Sequence, residues 1–158
     1  MNIRVICVGK LKEKFWQEAC AEYLKRITGF TRIEIVELKE AKLPKNASPA
    51  DEQAVIEKES QSILDKIQDR DYVIAMDLSG KQEDSVEFAK SLETISLGNS
   101  TIDFVIGGSL GLSDSVRKRA DKKMAFSEMT FPHQLFRVML LEQVYRAFKI
   151  INNETYHK

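Results

Sequence analysis

Short apolar runs alternate along this chain with longer segments whose apolar residues recur every three or four positions. Runs rich in β-branched residues predict buried strands at residues 3–8, 33–38, 72–76, 102–106 and 124–127. The helical spacing predicts helices at about residues 15–27, 48–67, 86–95, 113–119 and 132–151. This alternation is typical of an α/β fold, a mostly parallel sheet with helices on both faces. No linker, repeat or low-complexity stretch divides residues 1–158, which predicts a single domain.

The loops at the strand ends are the expected place for a site, because ligands bind at the carboxyl ends of strands in such sheets. Three of these loops come from the second half of the chain, at residues 78–81, 107–111 and 127–130, and we expect the site there. The loop at 107–111, Gly-Gly-Ser-Leu-Gly, lets a ligand approach the backbone closely. It matches neither the dinucleotide-binding nor the phosphate-binding glycine motif. A plain tight turn is the alternative.

The segment at residues 126–134 is rich in Ser, Thr, Met and Phe, and it leads directly into a helix that Pro132 opens. Its backbone N–H groups and hydroxyls suit contact with the edge of a base, and its Phe and Met side chains suit apolar walls. A hydrophobic loop that fills the core is the alternative.

The last predicted helix is apolar around nearly its whole circumference, apart from a narrow stripe formed by Glu142, Arg146 and Lys149. A helix of this kind is buried on several sides, and one small sheet cannot cover it. We therefore expect a second copy of the chain, most simply in a two-fold homodimer. A central core helix in a monomer is the alternative.

Arg137 lies away from that stripe, among apolar neighbours, with His133 one turn earlier on the same side. An unpaired guanidinium there would be costly, so Arg137 must meet a carboxylate, a ligand or a phosphate. A structural ion pair and a functional contact are both open. The chain ends with Tyr156, His157 and Lys158, a composition that suits contact with RNA, although most chain ends are frayed.

Charge is balanced overall but not along the chain. The 158 residues hold 24 basic and 24 acidic side chains, and 43% of them are hydrophobic, which excludes a disordered chain. Residues 1–32 and 104–158 each carry a net charge of +4, whereas 33–69 and 70–103 each carry −4. The zero total argues against a strongly basic nucleic-acid binder, but a fold that joins the two ends would present a positive face. Chance scatter of surface charge is the alternative.

The apolar runs, the two cysteines and the two histidines bear on the cellular compartment and on metal binding. No apolar run approaches the roughly 20 residues needed to span a bilayer, and charged residues at 10–14 follow the first apolar run, so we expect neither a membrane partner nor a signal peptide. Cys7 and Cys20 lack metal-ligand spacing and are expected to be buried thiols in a reducing compartment, the cytoplasm. His133 and His157 form no recognisable zinc spacing with them, so no metal site is expected.

Five stretches of this sequence carry a resemblance to a known family, and they lie at residues 8–10, 104–109, 129–134, 142–147 and 156–158. They resemble, in the same order and at nearly the same chain length, the SPOUT-class methyltransferases, and within them the bacterial RlmH type. The resemblance runs from end to end. It implies a trefoil knot within about residues 103–158, an exception to the rule that chains avoid knots. It also implies an obligate homodimer with the knots at the interface.

The resemblance further implies an activity. Enzymes of this type use S-adenosylmethionine to methylate N3 of a pseudouridine in 23S ribosomal RNA of the assembled ribosome, and no DNA partner is expected. By motif match, the cofactor-binding residues would be Met76, Gly107, Phe126, Ser127, Glu128, Met129, Thr130 and Phe131. Leu78 and Gly108 are adjacent to them and are expected to contribute to the same site. The sequence departs from the family at Met76, where leucine is usual, and at Leu110, where a polar residue is frequent.

The mechanism that the resemblance implies is direct displacement at the sulfonium methyl, with the methyl group and the nucleophilic nitrogen held in line. The pseudouridine N3 proton must leave, and His133 and His157 of the partner subunit are both candidate bases. Arg137 is expected to bind a phosphate or to stabilise the developing anionic base. The tail residues Tyr156, His157 and Lys158 are expected to complete the RNA site.

Two functions of other classes stay open from the residues alone. One is a nucleotide- or flavin-binding α/β module without methyl transfer, which the strand-end loops also suit. The other is a dimeric RNA-binding or ribosome-assembly protein whose cofactor site is vestigial.

Overall fold

The computed structural model describes residues 1–158 and contains one five-stranded sheet flanked by five helices. The strands are β1 (Asn2–Val8), β2 (Arg32–Leu38), β3 (Tyr72–Gln82), β4 (Thr101–Ile106) and β5 (Lys122–Ala125). The helices are α1 (Lys14–Ile27), α2 (Pro49–Leu64), α3 (Ser85–Gly98), α4 (Asp114–Arg119) and α5 (His133–Ile151). The strand order is β2-β1-β4-β3-β5, and every neighbouring pair is parallel. All five strands therefore end at the same edge of the sheet.

The sheet has a hydrophobic core on each face, because side chains alternate between the faces along every strand. In β1, Val5 faces a core formed with α1, α3 and α5, whereas Ile6 faces a smaller core formed with α2 and α4. In the larger core, the rings of Phe88 and Phe104 lie with their centroids 6.1 Å apart. The predicted fold class, a parallel sheet with helices on both faces, is confirmed.

A buried ionic cluster fixes the amino edge of the sheet. Arg4 Nη2 donates to Asp103 Oδ2 at 2.7 Å and to Asp71 Oδ2 at 3.0 Å. Burial raises the pKa of Asp103, and the hydrogen bond and charge of Arg4 oppose that rise. Because the cluster joins β1 to β4 and to the start of β3, it holds the sheet together at the edge opposite the strand-end loops.

The strands β3 and β5 differ from the sequence prediction. Residues 77–82 continue β3, and Lys81 and Gln82 pair with Met124 and Ala125 of β5. The close approach requires Gly80, since a Cβ there would stand 2.4 Å from the Met124 nitrogen. Polar residues and a glycine made this part of β3 look like a loop. Two lysines, Lys122 and Lys123, likewise hid the true start of β5, which lies two residues before the predicted one.

The long helix α5 begins immediately after Pro132 and ends at Ile151, as predicted. Leu140, Leu141 and Val144 are fully buried in the larger core. A second set of apolar side chains on the helix is only partly covered by the single chain, and it consists of Leu135, Val138, Met139, Ile150 and Ile151. One chain therefore buries one side of α5 and leaves the other partly accessible.

Both thiols are buried and free, as predicted. Burial raises the pKa of Cys7 to about 11, which keeps this thiol protonated at neutral pH. None of the helices combines the length and the apolar character that crossing a membrane requires.

Candidate active site

A cavity of about 560 Å³ opens at the carboxyl ends of β3, β4 and β5. Its walls come from residues 76–79 and 106–112, from positions within 124–136, and from Arg117 of α4. Small-molecule sites typically measure roughly 300–1,000 Å³. The cavity therefore has the size of a ligand site and lies among the three strand-end loops in which the sequence predicts one.

The glycine loop after β4 is a tight turn that also lines the cavity. The Gly111 N–H donates to the Gly108 carbonyl oxygen at 3.0 Å, and Gly111 has a φ of 85°, which favours glycine. A Cβ added to Gly107 would stand 2.9 Å from the Gly111 carbonyl carbon and oxygen. Gly111 therefore packs closely against Gly107. The sequence offered a tight turn and a ligand-binding wall as alternatives for this loop, and the structure shows a tight turn that lines the cavity.

A polar group of β3, the carboxylate of Asp77, lines the cavity, and sequence reasoning missed it. Asp77 Oδ1 accepts a hydrogen bond from Arg117 Nε at 3.2 Å, and Ser79 donates to Asp77 from both its backbone N–H and its hydroxyl. Burial opposes ionisation of Asp77, but the Ser79 hydrogen bonds and the Arg117 charge prevail and lower its pKa. The available signal was an aspartate placed directly after the apolar run of β3.

Apolar side chains form the other walls of the cavity. The rings of Phe126 and Phe136 lie with centroids 4.9 Å apart, which joins the segment after β5 to the first turn of α5. Leu78 and Met129 are largely exposed at the cavity mouth. An aromatic wall with backbone polar groups beside it suits a heteroaromatic ring.

The structure brings most of the predicted site residues together. Those that line the cavity are Met76, Leu78, Gly107, Gly108, Phe126, Ser127, Met129, Thr130, Phe131 and His133. Glu128 belongs to the same segment but is exposed and does not line the cavity. The other predicted residues, Arg137, Tyr156, His157 and Lys158, also lie outside the cavity walls of this chain.

Arg137 forms a buried ion pair at the start of α5. Its Nη1 lies 2.7 Å from Glu37 Oε2 of β2, and its Nη2 donates to the Gly9 carbonyl oxygen at 3.2 Å. Only 3% of Arg137 is exposed, and its Nε is buried without a hydrogen-bond partner. Glu37 also accepts a hydrogen bond from the Leu11 N–H. The sequence left a carboxylate, a ligand and a phosphate open as partners of Arg137, and the chain itself provides a carboxylate. The contacts of Arg137 join α5 to the end of β2 and to the loop after β1.

The carboxyl-terminal tail folds back on α5. Tyr156 Oη donates to Glu142 Oε1 at 2.9 Å, and the Arg146 guanidinium carbon lies 4.7 Å from the Tyr156 ring centroid. Arg146 Nη1 also contacts His157 Nδ1 at 3.2 Å. Burial, together with the hydrogen bond to Glu142, raises the pKa of Tyr156 to about 12. The polar stripe of α5 therefore holds Tyr156 and His157, while Lys158 is exposed.

A buried carboxylate, that of Glu59 in α2, lies directly behind the glycine turn. Only 4% of Glu59 is exposed, and its Oε2 accepts a hydrogen bond from the Ala41 N–H at 3.0 Å. A Cβ added to Gly108 would stand 2.7 Å from Glu59 Oε1. Burial raises the pKa of Glu59, while the Ala41 hydrogen bond and attraction to His133 oppose the rise. Sequence reasoning missed Glu59 because no local pattern separates it from the other acids of α2.

Replacing Glu59 by glutamine is expected to raise the unfolding temperature at pH 7 by at most a few degrees. The raised native pKa means that the folded state binds its proton more tightly than the unfolded chain does. The glutamate therefore costs stability above its native pKa, and this cost is relieved as the pH falls to about 4.5, the ordinary value of the group. Thermal unfolding of both proteins from pH 4 to pH 8 measures the difference, which should vanish at the acid end.

The exposed Glu57 on the same helix provides the matched control, since its replacement by glutamine removes an equal charge from a solvated position. A Glu59→Gln protein that is less stable than the wild type to the same degree at pH 4 and pH 8 would contradict this assignment. That result would show that the carboxylate stabilises the turn.

The chain is similar to known proteins over nearly its whole length. A family model described as predicted SPOUT methyltransferase matches residues 1–157. Ribosomal RNA large subunit methyltransferase H 1 of Clostridium perfringens is 59% identical over 100% of both chains. Ribosomal RNA large subunit methyltransferase H of Clostridium beijerinckii is 56% identical and that of Streptococcus thermophilus 54% identical, again over 100% of both chains.

One solved structure is similar in fold. It is that of a probable methylase family protein from Haemophilus influenzae Rd KW20, with a TM-score of 0.51 and 14% sequence identity. The match covers 99% of this chain and 70% of that chain. At this identity the likeness concerns the fold alone. The family model covers nearly the whole chain, and the relatives are more than 50% identical over their full length. The chain therefore belongs to the SPOUT methyltransferase family.

Proposed function

We propose that this protein transfers a methyl group from S-adenosylmethionine to N3 of a pseudouridine in 23S ribosomal RNA of the assembled ribosome. The observation that carries the proposal is full-length identity of 54–59% to several proteins named ribosomal RNA large subunit methyltransferase H. The cavity at the strand ends supports it, because it has the size and lining of a small-molecule site.

The residues of the cavity fit S-adenosylmethionine. Met76, Phe126 and Phe131 offer apolar walls for the adenine, and the backbone of the glycine turn offers polar groups beside them. Asp77 has a lowered pKa and is already bonded to Ser79 and Arg117, so its carboxylate is a fixed hydrogen-bond acceptor on the cavity wall. The bound cofactor supplies an electrophilic methyl group on a sulfonium. The role of the protein is then to hold that methyl group in line with the attacking nitrogen.

The proton on N3 needs an acceptor, and His133 is the candidate that the cavity itself contains. It lies in the first turn of α5 and lines the cavity. Histidine is the side chain that most often serves as a general base in enzymes. His157 of the partner subunit is the second candidate. In its own chain His157 contacts Arg146, so the α5 stripe would present it to a neighbouring protomer in a fixed orientation.

The proposal extends to a two-fold homodimer and to the knot that the family resemblance implies. The partly covered apolar side chains of α5 support the dimer, because a second copy would bury them. In such a dimer, Tyr156, His157 and Lys158 would add aromatic and basic groups for the RNA, and Arg137 would keep α5 in register with the loops of β1 and β2. Because ribosomes are cytoplasmic, the enzyme would act in the cytoplasm.

The test is methyl transfer from labelled S-adenosylmethionine to free 23S RNA, isolated large subunits and whole ribosomes, each lacking the modification. We expect label in the large-subunit RNA, with whole ribosomes as the best substrate. Thermal unfolding in the presence of S-adenosylmethionine, NAD or FMN provides the control, and only the first should stabilise the protein. Absence of label from all three substrates would overturn the proposal, and stabilisation by NAD or FMN alone would favour a nucleotide-binding module.

A further inference from the structure

The loops that follow β1 and β2 form a positively charged surface at the same sheet edge as the cavity. This surface, the lysine face, consists of residues 10–16 and 39–45. Its cations are Lys10, Lys12, Lys14, Lys39, Lys42 and Lys45, all of them exposed. Glu13 and Glu40 are its acidic residues, so the lysine face carries a net charge of +4 in a protein whose total is zero.

The chain neutralises almost none of this charge. Of the six lysines, only Lys14 has a carboxylate within ion-pair distance, that of Glu18 at 3.8 Å. Glu37, the acidic residue closest in sequence at the end of β2, is already paired with Arg137. Five exposed lysines without an intramolecular partner, gathered at one sheet edge, make a surface that attracts anions.

An exposed aromatic ring stands within this positive surface. Phe15 is 61% exposed at the start of α1, and its ring centroid lies 4.8 Å from that of Trp16. The ring is therefore accessible to a partner of the folded chain. An aromatic side chain among lysines is the combination that binds unpaired RNA, because the ring stacks on a base and the lysines contact phosphates.

Backbone and side-chain contacts fix the lysine face relative to the cavity. The Gly9 N–H donates to the Leu38 carbonyl oxygen at 2.8 Å, which joins its two loops. The ion pair of Arg137 with Glu37 connects these loops to α5, whose first turn lines the cavity. On the other side, the Ala41 N–H bonds to Glu59, the carboxylate behind the glycine turn. RNA bound to the lysine face would therefore be held at a set distance from the cavity.

We propose that the lysine face binds unpaired ribosomal RNA that flanks the methylated nucleotide, with the lysines on phosphates and Phe15 stacked on a base. The inference rests on the proposed function, since it names a second contact of the same substrate. It explains how a protein of zero net charge can hold RNA: basic groups are concentrated beside the site, while most of the acidic residues belong to residues 33–103, largely outside the lysine face.

The test compares two variants with an equal reduction of charge. In the first, Lys10, Lys12, Lys39 and Lys42 are each replaced by alanine. In the control, alanine replaces Lys25, Arg32, Lys66 and Arg70, which are exposed near the opposite edge of the sheet. Methyl transfer to ribosomes lacking the modification gives KM and kcat, and filter binding to protein-free 23S RNA gives the affinity over a range of salt concentrations.

We expect the lysine-face variant to raise KM for ribosomes by about tenfold or more, with kcat within about twofold of the wild type. The slope of log affinity for 23S RNA against log salt should fall by about 0.7 for each phosphate that the variant no longer neutralises, or about 3 in total. Replacing the same lysines by arginine should restore both values. S-adenosylmethionine should stabilise both variants against heat as it stabilises the wild type.

Phe15 gives a second, uncharged test. Phe15→Ala should weaken RNA binding by about tenfold without changing the salt slope, whereas Phe15→Trp should retain it. A lysine-face variant whose KM and RNA affinity match those of the control would overturn the inference. So would weaker binding to ribosomes with unchanged binding to free RNA, because that result would indicate a ribosomal protein as the partner. Failure of the proposed function would look different, since the wild type itself would then transfer no methyl group.

Discussion

Replacement of Arg137 by alanine is expected to lower the free energy of unfolding by about 3 kcal/mol, because it leaves one partner of a largely buried ion pair uncompensated. Glu37 and the Gly9 carbonyl would lose their hydrogen bonds to the guanidinium. Part of the Glu37 side chain, 36%, is open to solvent, which places the cost at the lower end of the range for buried pairs. Urea unfolding monitored by fluorescence of Trp16 measures the change.

Arg137→Lys separates charge from geometry. A lysine keeps the charge but lacks the planar fork that reaches both Glu37 and Gly9, so a decrease of about 1 kcal/mol is expected. Glu37→Gln should lower the free energy of unfolding by less than Arg137→Ala does, because it removes the charge from the more exposed partner of the pair. The double variant should be destabilised by less than the sum of the two single effects, since they share one interaction.

Methyl transfer by Arg137→Ala shows whether the residue has a second role. At a temperature where the variant is folded, a purely structural residue should leave kcat close to that of the wild type. An unchanged unfolding free energy combined with abolished methyl transfer would contradict the structural role and place the guanidinium on the RNA or on the developing anion. A structural role and a catalytic role of Arg137 both predict low activity at temperatures where the variant unfolds. Only an assay at a temperature where the variant is folded separates the two roles.

Gly107→Ala is expected to weaken binding of S-adenosylmethionine by about tenfold or more, since forcing an extra methyl group into a packed position costs roughly 1–3 kcal/mol. The added Cβ would stand 2.9 Å from the Gly111 carbonyl carbon and oxygen and 3.0 Å from Leu112 Cδ2. Two of these atoms are backbone, so the turn itself has to move. Titration calorimetry with the cofactor measures the affinity.

Gly98→Ala is the matched control, because a Cβ at this position meets open space at the end of α3. It should bind the cofactor as the wild type does. A Gly107→Ala protein with unchanged affinity would mean that the glycine turn does not shape the cofactor site. A decrease in stability without a decrease in affinity would have the same meaning.

The sequence predicts most of the fold because each element carries its own local signal. The apolar run of β4 and the Ser48–Asp51 cap of α2 are recognisable without any long-range information, and the structure contains both. The prediction fails where a tertiary contact decides the outcome. The extension of β3 past Asp77 depends on its pairing with β5, about 40 residues later, and Gly80 is needed only because of that pairing.

Some residues of the candidate site could likewise be predicted from local sequence, whereas others depend on tertiary contacts. The motif residues of the glycine turn and of the segment after β5 could be placed at one sheet edge from strand order alone. The partner of Arg137 could not, because Glu37 lies 100 positions away and nothing in either neighbourhood marks the pair. Glu59 and Asp77 were also missed. A buried carboxylate has the same sequence appearance as a solvated one, and only the packing around it reveals the difference.

The most direct test of the proposed function is the identity of the methylated nucleoside. Ribosomes lacking the modification are incubated with the protein and S-adenosylmethionine, and the 23S RNA is digested and analysed by mass spectrometry. We expect 3-methylpseudouridine to form with the wild type and with Gly98→Ala, and to form far more slowly with Gly107→Ala. Absence of any new methylated nucleoside, or a methyl group on another base or on a ribose, would contradict the account.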